Sequence, residues 1–306
     1  MGITSKENFI LGIEGGGTKT TWSLVDEHGK VIAKGIGEAS NLHHVSDPTL
    51  LRIFAAIRRS LTVKPQSIGA AFASCHLERD RQRVRKLLLQ TWPKVEKIVV
   101  DEDTCSAYAG CHGQGNGIII IAGTGSNVFG IKNGRREKAM GWGGLMADFG
   151  SGYAIARSAF VACYDYFDET QKMGILAKLI VKKAGVSGLE EFVGHILNRE
   201  SKTEVASYTP CVFEAAEKGD PLAKKIIAEQ ADLLAKRVGY VTKRLGLKKP
   251  DIGMVGSLFE KQPIYFTIFC KSVKKYLPTG RLFVSQIPGS IGATLLVKHP
   301  LDPNQS

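Results

Sequence analysis

Short apolar runs of strand length recur along the chain, divided by glycine-rich turns and by stretches with helical spacing. Between residues 10 and 29 an apolar run ends on Glu14. Gly15, Gly16 and Gly17 follow, and Thr18 and Lys19 lead into a second β-rich run closed at His28-Gly29. This pattern predicts strand, tight turn, strand. Further strands are expected at residues 31–36, 67–73 and 95–100, the last running into Asp101-Glu102-Asp103. Helices are expected at 48–61, 79–90 and 104–110. Strands alternating with helices predict an α/β fold with parallel pairing.

The opening pattern then returns. Residues 117–122 are the most apolar strand of the chain, Gly123-Thr124-Gly125-Ser126-Asn127 follow, and a strand at 128–131 ends in an Asn133-Gly134 turn. Such a repeat predicts two related α/β halves facing one another across a cleft. The halves fall at 1–116 and 117–306, with the terminal helix free to return to the first. Next comes a glycine-dense loop, 140–153, which holds Trp142 and Asp148. Helices are expected at 152–167, 172–184, 189–198, 205–218 and 221–245, an insertion or outer layer. A strand at 251–255 precedes Gly256-Ser257, which open a helix to about 276. A final strand at 281–284 and a helix from Gly289 complete the pattern, and residues 302–306 are expected to fray.

Composition narrows the function classes. Of 306 residues, 43% are apolar and 23% charged, which suffices for packed cores. The net charge of +12 raises the question of a nucleic-acid partner. The basic residues are scattered over helical stretches, where solvated faces are the default, and this argues against one. A basic field also attracts anionic small molecules. No apolar run is long enough to span a bilayer. Residues 1–8 are polar and lack a signal-peptide core, so a cytoplasmic protein is expected. The six cysteines show no C-x-x-C spacing and read as small buried apolar residues.

The candidate chemistry lies at strand ends. Glycine-rich turns let backbone N–H groups approach an anion, and successive N–H groups can form a phosphate nest. An ordinary hairpin would look similar. Glu14, ending its strand, is placed to hold a metal-bound water. Asp103 stands beyond another strand end, where ligands collect in α/β sheets. It can act as a base or as the N-cap of the next helix. Gly256-Ser257 join a strand end to a helix start, a suitable wall for a nucleotide.

Together these motifs resemble the sugar-kinase/heat-shock-cognate/actin superfamily and, within it, the BadF/BadG/BcrA/BcrD ATPase family and its amino-sugar kinases. Gly15-Gly16-Gly17-Thr18 resembles the first phosphate loop and Gly123-Thr124-Gly125-Ser126-Asn127 the second. Gly141-Trp142-Gly143 with Asp148 resembles the sugar loop, and Gly256-Ser257 the adenosine motif. The resemblance implies a two-lobed, duplicated ribonuclease H-like fold, as in actin-like ATPases. It implies ATP and Mg2+ as cofactors and phosphorylation of N-acetylglucosamine to its 6-phosphate. Thr18 and Thr124 would contact phosphates, with Lys19 beside them. Asn41, Asp103, Ser126, Asn127, Gly141, Trp142, Gly143 and Asp148 would contact the sugar, and Asp103 would be the general base.

Two positions depart from the family pattern. Phe149 stands where a Glu or another polar residue usually follows the sugar-loop aspartate, and Ser74-Cys75 replace a turn that is often glycine-rich. Glucosamine, N-acetylmannosamine and N-acetylmuramic acid stay open as substrates, as does a homodimer. Two alternatives come from other classes. One is an ATPase that serves an iron–sulfur system, which Cys105, Cys111 and Cys163 bring to mind. The other is a non-catalytic sugar sensor, against which Asp103 argues.

Overall fold

The computed structural model describes residues 8–199 and 201–301. The polar N-terminal stretch through residue 7 and the residues expected to fray lie outside them. Contacts group the chain into two compact units. One runs to Gly115 and takes up the stretch from Ser285 onward; the other is Asn116–Val284.

In the first unit, β1 (Ile10–Gly15), β2 (Thr20–Val25) and β3 (Val31–Gly37) form an antiparallel meander. Helix α1 (Asp47–Ser60) starts at Ser46, whose Oγ accepts from the Thr49 N–H, with Pro48 in the first turn. Then come β4 (Ser67–Phe72), α2 (Glu78–Thr91), β5 (Lys97–Glu102) and α3 (Asp103–His112). The sheet order is β3-β2-β1-β4-β5, with β1, β4 and β5 parallel. Phe54, Phe72, Leu88 and Trp92 are buried in the core against α1 and α2. Each such side chain contributes roughly 1.5–3 kcal/mol by leaving water.

The second unit repeats this plan. Its strands are β6 (Gly117–Ala122), β7 (Ser126–Lys132), β8 (Arg135–Met140), β9 (Asp251–Val255) and β10 (Arg281–Val284). They pair in the order β8-β7-β6-β9-β10, the same topology as the first sheet. Between β8 and β9 lie the helices α4 (Gly144–Ala147), α5 (Gly152–Thr170), α6 (Ile175–Ala184), α7 (Leu189–Leu197), α8 (Lys202–Ser207), α9 (Thr209–Glu217) and α10 (Pro221–Leu245). They share one core with the sheet. The helix expected at 205–218 is two, because Pro210 in the first turn of α9 cannot continue α8. Pro263 likewise divides the stretch after β9 into α11 (Ser257–Lys261) and α12 (Pro263–Tyr276).

The last helix, α13 (Gly289–Lys298), packs on β1, β4 and α3 of the first unit. Gly12 and Gly69, paired across β1 and β4, let it approach the sheet. A Cβ at either would stand 1.9 Å from the Ser290 carbonyl or 1.8 Å from that of Ala293. Among the described residues no helix is long and apolar enough to cross a membrane.

Candidate active site

The parallel register aligns the ends of β1, β4 and β5, since Gly15 faces Phe72 and Phe72 faces Glu102. The first glycine turn and Asp103 therefore lie at one edge of one sheet. None of Gly15, Gly16 and Gly17 takes a left-handed conformation, so the turn does not need glycine for its bend. Gly15 is required by packing: a Cβ there would meet the Phe72 ring at 2.2 Å and Ser40 Oγ at 2.3 Å. A Cβ on Gly17 would meet nothing within 4 Å, and one on Gly16 only the Lys19 carbonyl at 3.5 Å. These two leave a strip of bare backbone beside exposed Thr18 and Lys19.

Two carboxyl groups converge on this edge. Glu14 is opposite Thr21, whose hydroxyl donates to Oε2 at 3.1 Å. Burial, and then the charge of Asp103, push the Glu14 carboxyl up to about 7. Asp103 is the first residue of α3 and not its cap, as one alternative had it. Glu102 takes the cap position without a side-chain capping bond. Asp103 still serves the helix start, because its Oδ1 accepts from the Thr104 N–H at 2.9 Å.

Its acidic neighbours have other partners. Asp101 pairs with Arg81 at 3.5 Å, and Glu102 meets His76 Nδ1 at 3.3 Å. Asn41 forms a turn in which its Oδ1 accepts from the His43 N–H at 3.0 Å. That turn is tied to the same edge. The Leu42 N–H donates to the Ala73 carbonyl at 3.3 Å, and the Ala73 N–H donates to that of Gly15 at 2.8 Å. Ser74 follows with φ of 68°, a left-handed position where glycine would sit without strain.

In the second unit, the Gly123–Ser126 turn is bonded to the start of α5. The N–H groups of Gly152 and Tyr153 donate to the carbonyls of Gly123 and Thr124 at 2.8 and 3.2 Å. Ser151 caps that helix, its Oγ accepting from the Ala154 N–H at 3.1 Å. The Gly256-Ser257 turn is adjacent. Gly256 has φ of 110°, and a Cβ on it would stand 2.4 Å from the Ala122 carbonyl. The structure thus brings Thr124, Gly125, Gly256 and Ser257 to one edge of the second sheet.

The residues of this unit expected to contact a sugar gather beside them. Asn127 faces Met140 across β7 and β8, and a Cβ on Gly141 would meet its Nδ2 at 2.6 Å. The buried Asn127 Oδ1 has no hydrogen-bond partner among the described residues. Such an acceptor suits a ligand hydroxyl, since leaving it unmade costs about 1–3 kcal/mol. The Ser126 hydroxyl donates to the Phe149 carbonyl at 2.9 Å. Met140, Gly141 and Gly143 all have positive φ, and Trp142 between them is 69% exposed. Asp148 is buried and forms an ion pair with Lys202 at the start of α8. Sequence reasoning missed Lys202, which carries no motif and lies far along the chain. The departure at Phe149 also has an account: its ring lies under the Arg237 guanidinium at 4.2 Å and packs on the core.

Of the cysteines named for an iron–sulfur system, Cys111 is half-buried and the other two are buried. Cys105 and Cys163 are buried in different units, and burial pushes the Cys163 thiol up to about 12. Among the described residues no cluster of three or more His, Cys, Asp or Glu side chains is placed to hold a metal.

The profile of the BadF/BadG/BcrA/BcrD ATPase family matches residues 11–297, and the chain belongs to that family. The two sheets of one topology give it a duplicated α/β fold, and the family is one of ATPases. An N-acetyl-D-glucosamine kinase of Dictyostelium discoideum is 26% identical over 95% of this chain and 98% of its own. An N-acetylmuramic acid/N-acetylglucosamine kinase of Clostridium acetobutylicum is 28% identical over 96% of this chain and 99% of its own. In fold, the chain is similar to a Chromobacterium violaceum protein solved as a candidate N-acetylglucosamine kinase. That comparison has a TM-score of 0.75 at 21% identity and covers 95% and 99% of the two chains.

Proposed function

We propose that this protein is an ATP-dependent kinase of an amino sugar, N-acetylglucosamine first among them, forming the 6-phosphate. The observation that carries the reading is the placing of Asp103 and a bare glycine turn at aligned strand ends of one sheet. The names of relatives matched along nearly the whole chain support it.

In this reading Gly15, Gly16, Gly17, Thr18 and Lys19, with Thr124 and Gly125, bind the phosphates of ATP. Gly256 and Ser257 bind its adenosine. Asn41, Asp103, Ser126, Asn127, Gly141, Trp142, Gly143 and Asp148 bind the sugar. The orphaned Asn127 Oδ1 fits a hydroxyl donor. Asp103 orients the acceptor hydroxyl and takes its proton as the oxygen bonds to the γ-phosphorus and ADP departs. Two carboxyl groups crowded at the edge, Glu14 and Asp103, fit a divalent cation. Glu14 would hold Mg2+ through a water, and the ion would supply charge neutralisation on the phosphates.

The test is ADP release, coupled to a reporter, with N-acetylglucosamine, glucosamine, N-acetylmannosamine and N-acetylmuramic acid in parallel. Turnover with N-acetylglucosamine at least as efficient as with the others is expected. ATP hydrolysis indifferent to every amino sugar would overturn the reading.

A further inference from the structure

The loop around Asp148 is held on one side and bare on the other. After Asp148 the backbone is clamped residue by residue. The Phe149 carbonyl accepts from Ser126, the Gly150 N–H donates to Gln230 Oε1 at 2.9 Å, and the Tyr265 hydroxyl donates to the Gly150 carbonyl at 2.6 Å. Before Asp148, Trp142, Leu145 and Met146 are exposed. The side chain at the junction is a carboxylate only 2% exposed, and Lys202 provides its counter-charge.

The position of that ion pair is specific. A Cβ built on Gly125 would stand 2.6 Å from Lys202 Nζ and 2.9 Å from Asp148 Oδ2. The pair therefore fills the space over the second glycine turn, and Gly125 must lack a side chain for it to do so. One contact joins three segments: the turn after β6, the loop before α5, and the start of α8. A buried carboxylate stripped of its partner is strongly disfavoured, whereas an ammonium that is 41% exposed has water available. The dependence thus runs from Asp148 to Lys202.

We propose that Lys202 is a positioning residue of the sugar site, holding the Asp148 carboxylate fixed against the turn at Gly125. The inference rests on the amino-sugar kinase reading. Lys202 acts on sugar affinity through Asp148. It makes no contribution to proton transfer, which belongs to Asp103.

The experiment measures N-acetylglucosamine affinity by calorimetry and steady-state kinetics for the whole protein and four variants: Lys202→Met, Lys202→Arg, Asp148→Asn and the double variant. Lys202→Met should raise Kd and KM for the sugar by about tenfold or more, with KM for ATP rising less and kcat falling less. Lys202→Arg, which keeps the charge, should restore most of the affinity. In the Asp148→Asn background no buried charge needs a partner, so adding Lys202→Met should change the sugar Kd less than about twofold. Should Lys202→Met fold poorly, Lys202→Gln takes its place in both backgrounds, with the same loss expected beside Asp148 and the same indifference in the Asp148→Asn background. Equal losses from Lys202→Met in both backgrounds, or an unchanged sugar Kd in Lys202→Met, would overturn the proposal. A wild-type protein that neither binds nor phosphorylates any amino sugar would instead overturn the kinase reading, so the two failures are distinct.

Discussion

The Glu14 carboxyl occupies the space that a side chain on Gly289 would need: a Cβ built there would stand 1.8 Å from Oε1. Gly289 is the first residue of α13, so the terminal helix starts against the acid next to the last residue of β1. Gly289→Ala must therefore displace either the helix or the carboxyl. Overpacking costs about 1–3 kcal/mol, and the flexible end of Glu14 puts this case at the lower end of that range. Urea unfolding should show a loss in that range, and an unchanged midpoint would mean that the contact is not held in solution.

The same carboxyl predicts a pH dependence of stability. Its value is raised from 4.5 to about 7, chiefly by burial and then by Asp103. The folded chain thus holds this proton more tightly than the unfolded chain does. The stability it contributes is fully present below about pH 4.5 and is lost as pH rises through about 7. Without nucleotide, the unfolding free energy of the wild type should fall across this window relative to Glu14→Gln, by up to about 3 kcal/mol. Denaturant curves at both ends of the window check this, and parallel behaviour of the two proteins would contradict it.

Much of the fold was legible because local signals agreed with tertiary demand. The helix α10 has Asp220-Pro221 at its start and Gly246 at its end, and it spans the residues expected. The duplicated strand–turn–strand pattern foretold two sheets of one topology. What escaped depends on partners distant in sequence. Nothing around Gly12, Gly69 or Gly292 announces that each makes room for α13 to pack, and nothing around Lys202 announces Asp148. The breaks at Pro210 and Pro263 were open to local reasoning, but the apolar periodicity on either side hid them. The glycines of the first turn were read for the approach of bare backbone to an anion, and the packing demand on Gly15 was not visible. Their use is steric, one for the Phe72 ring and two for bare backbone.

The central claim, that Asp103 is the base for phosphoryl transfer, is tested most directly by kcat of Asp103→Asn with N-acetylglucosamine and ATP. Asparagine keeps the Oδ1 that accepts from the Thr104 N–H, so the start of α3 should survive. It cannot accept a proton at neutral pH, and a general base contributes about 10²–10⁴-fold. The variant should fold, bind ATP and show kcat reduced by a factor in that range. A folded Asp103→Asn protein with near-normal kcat would remove Asp103 from the chemistry.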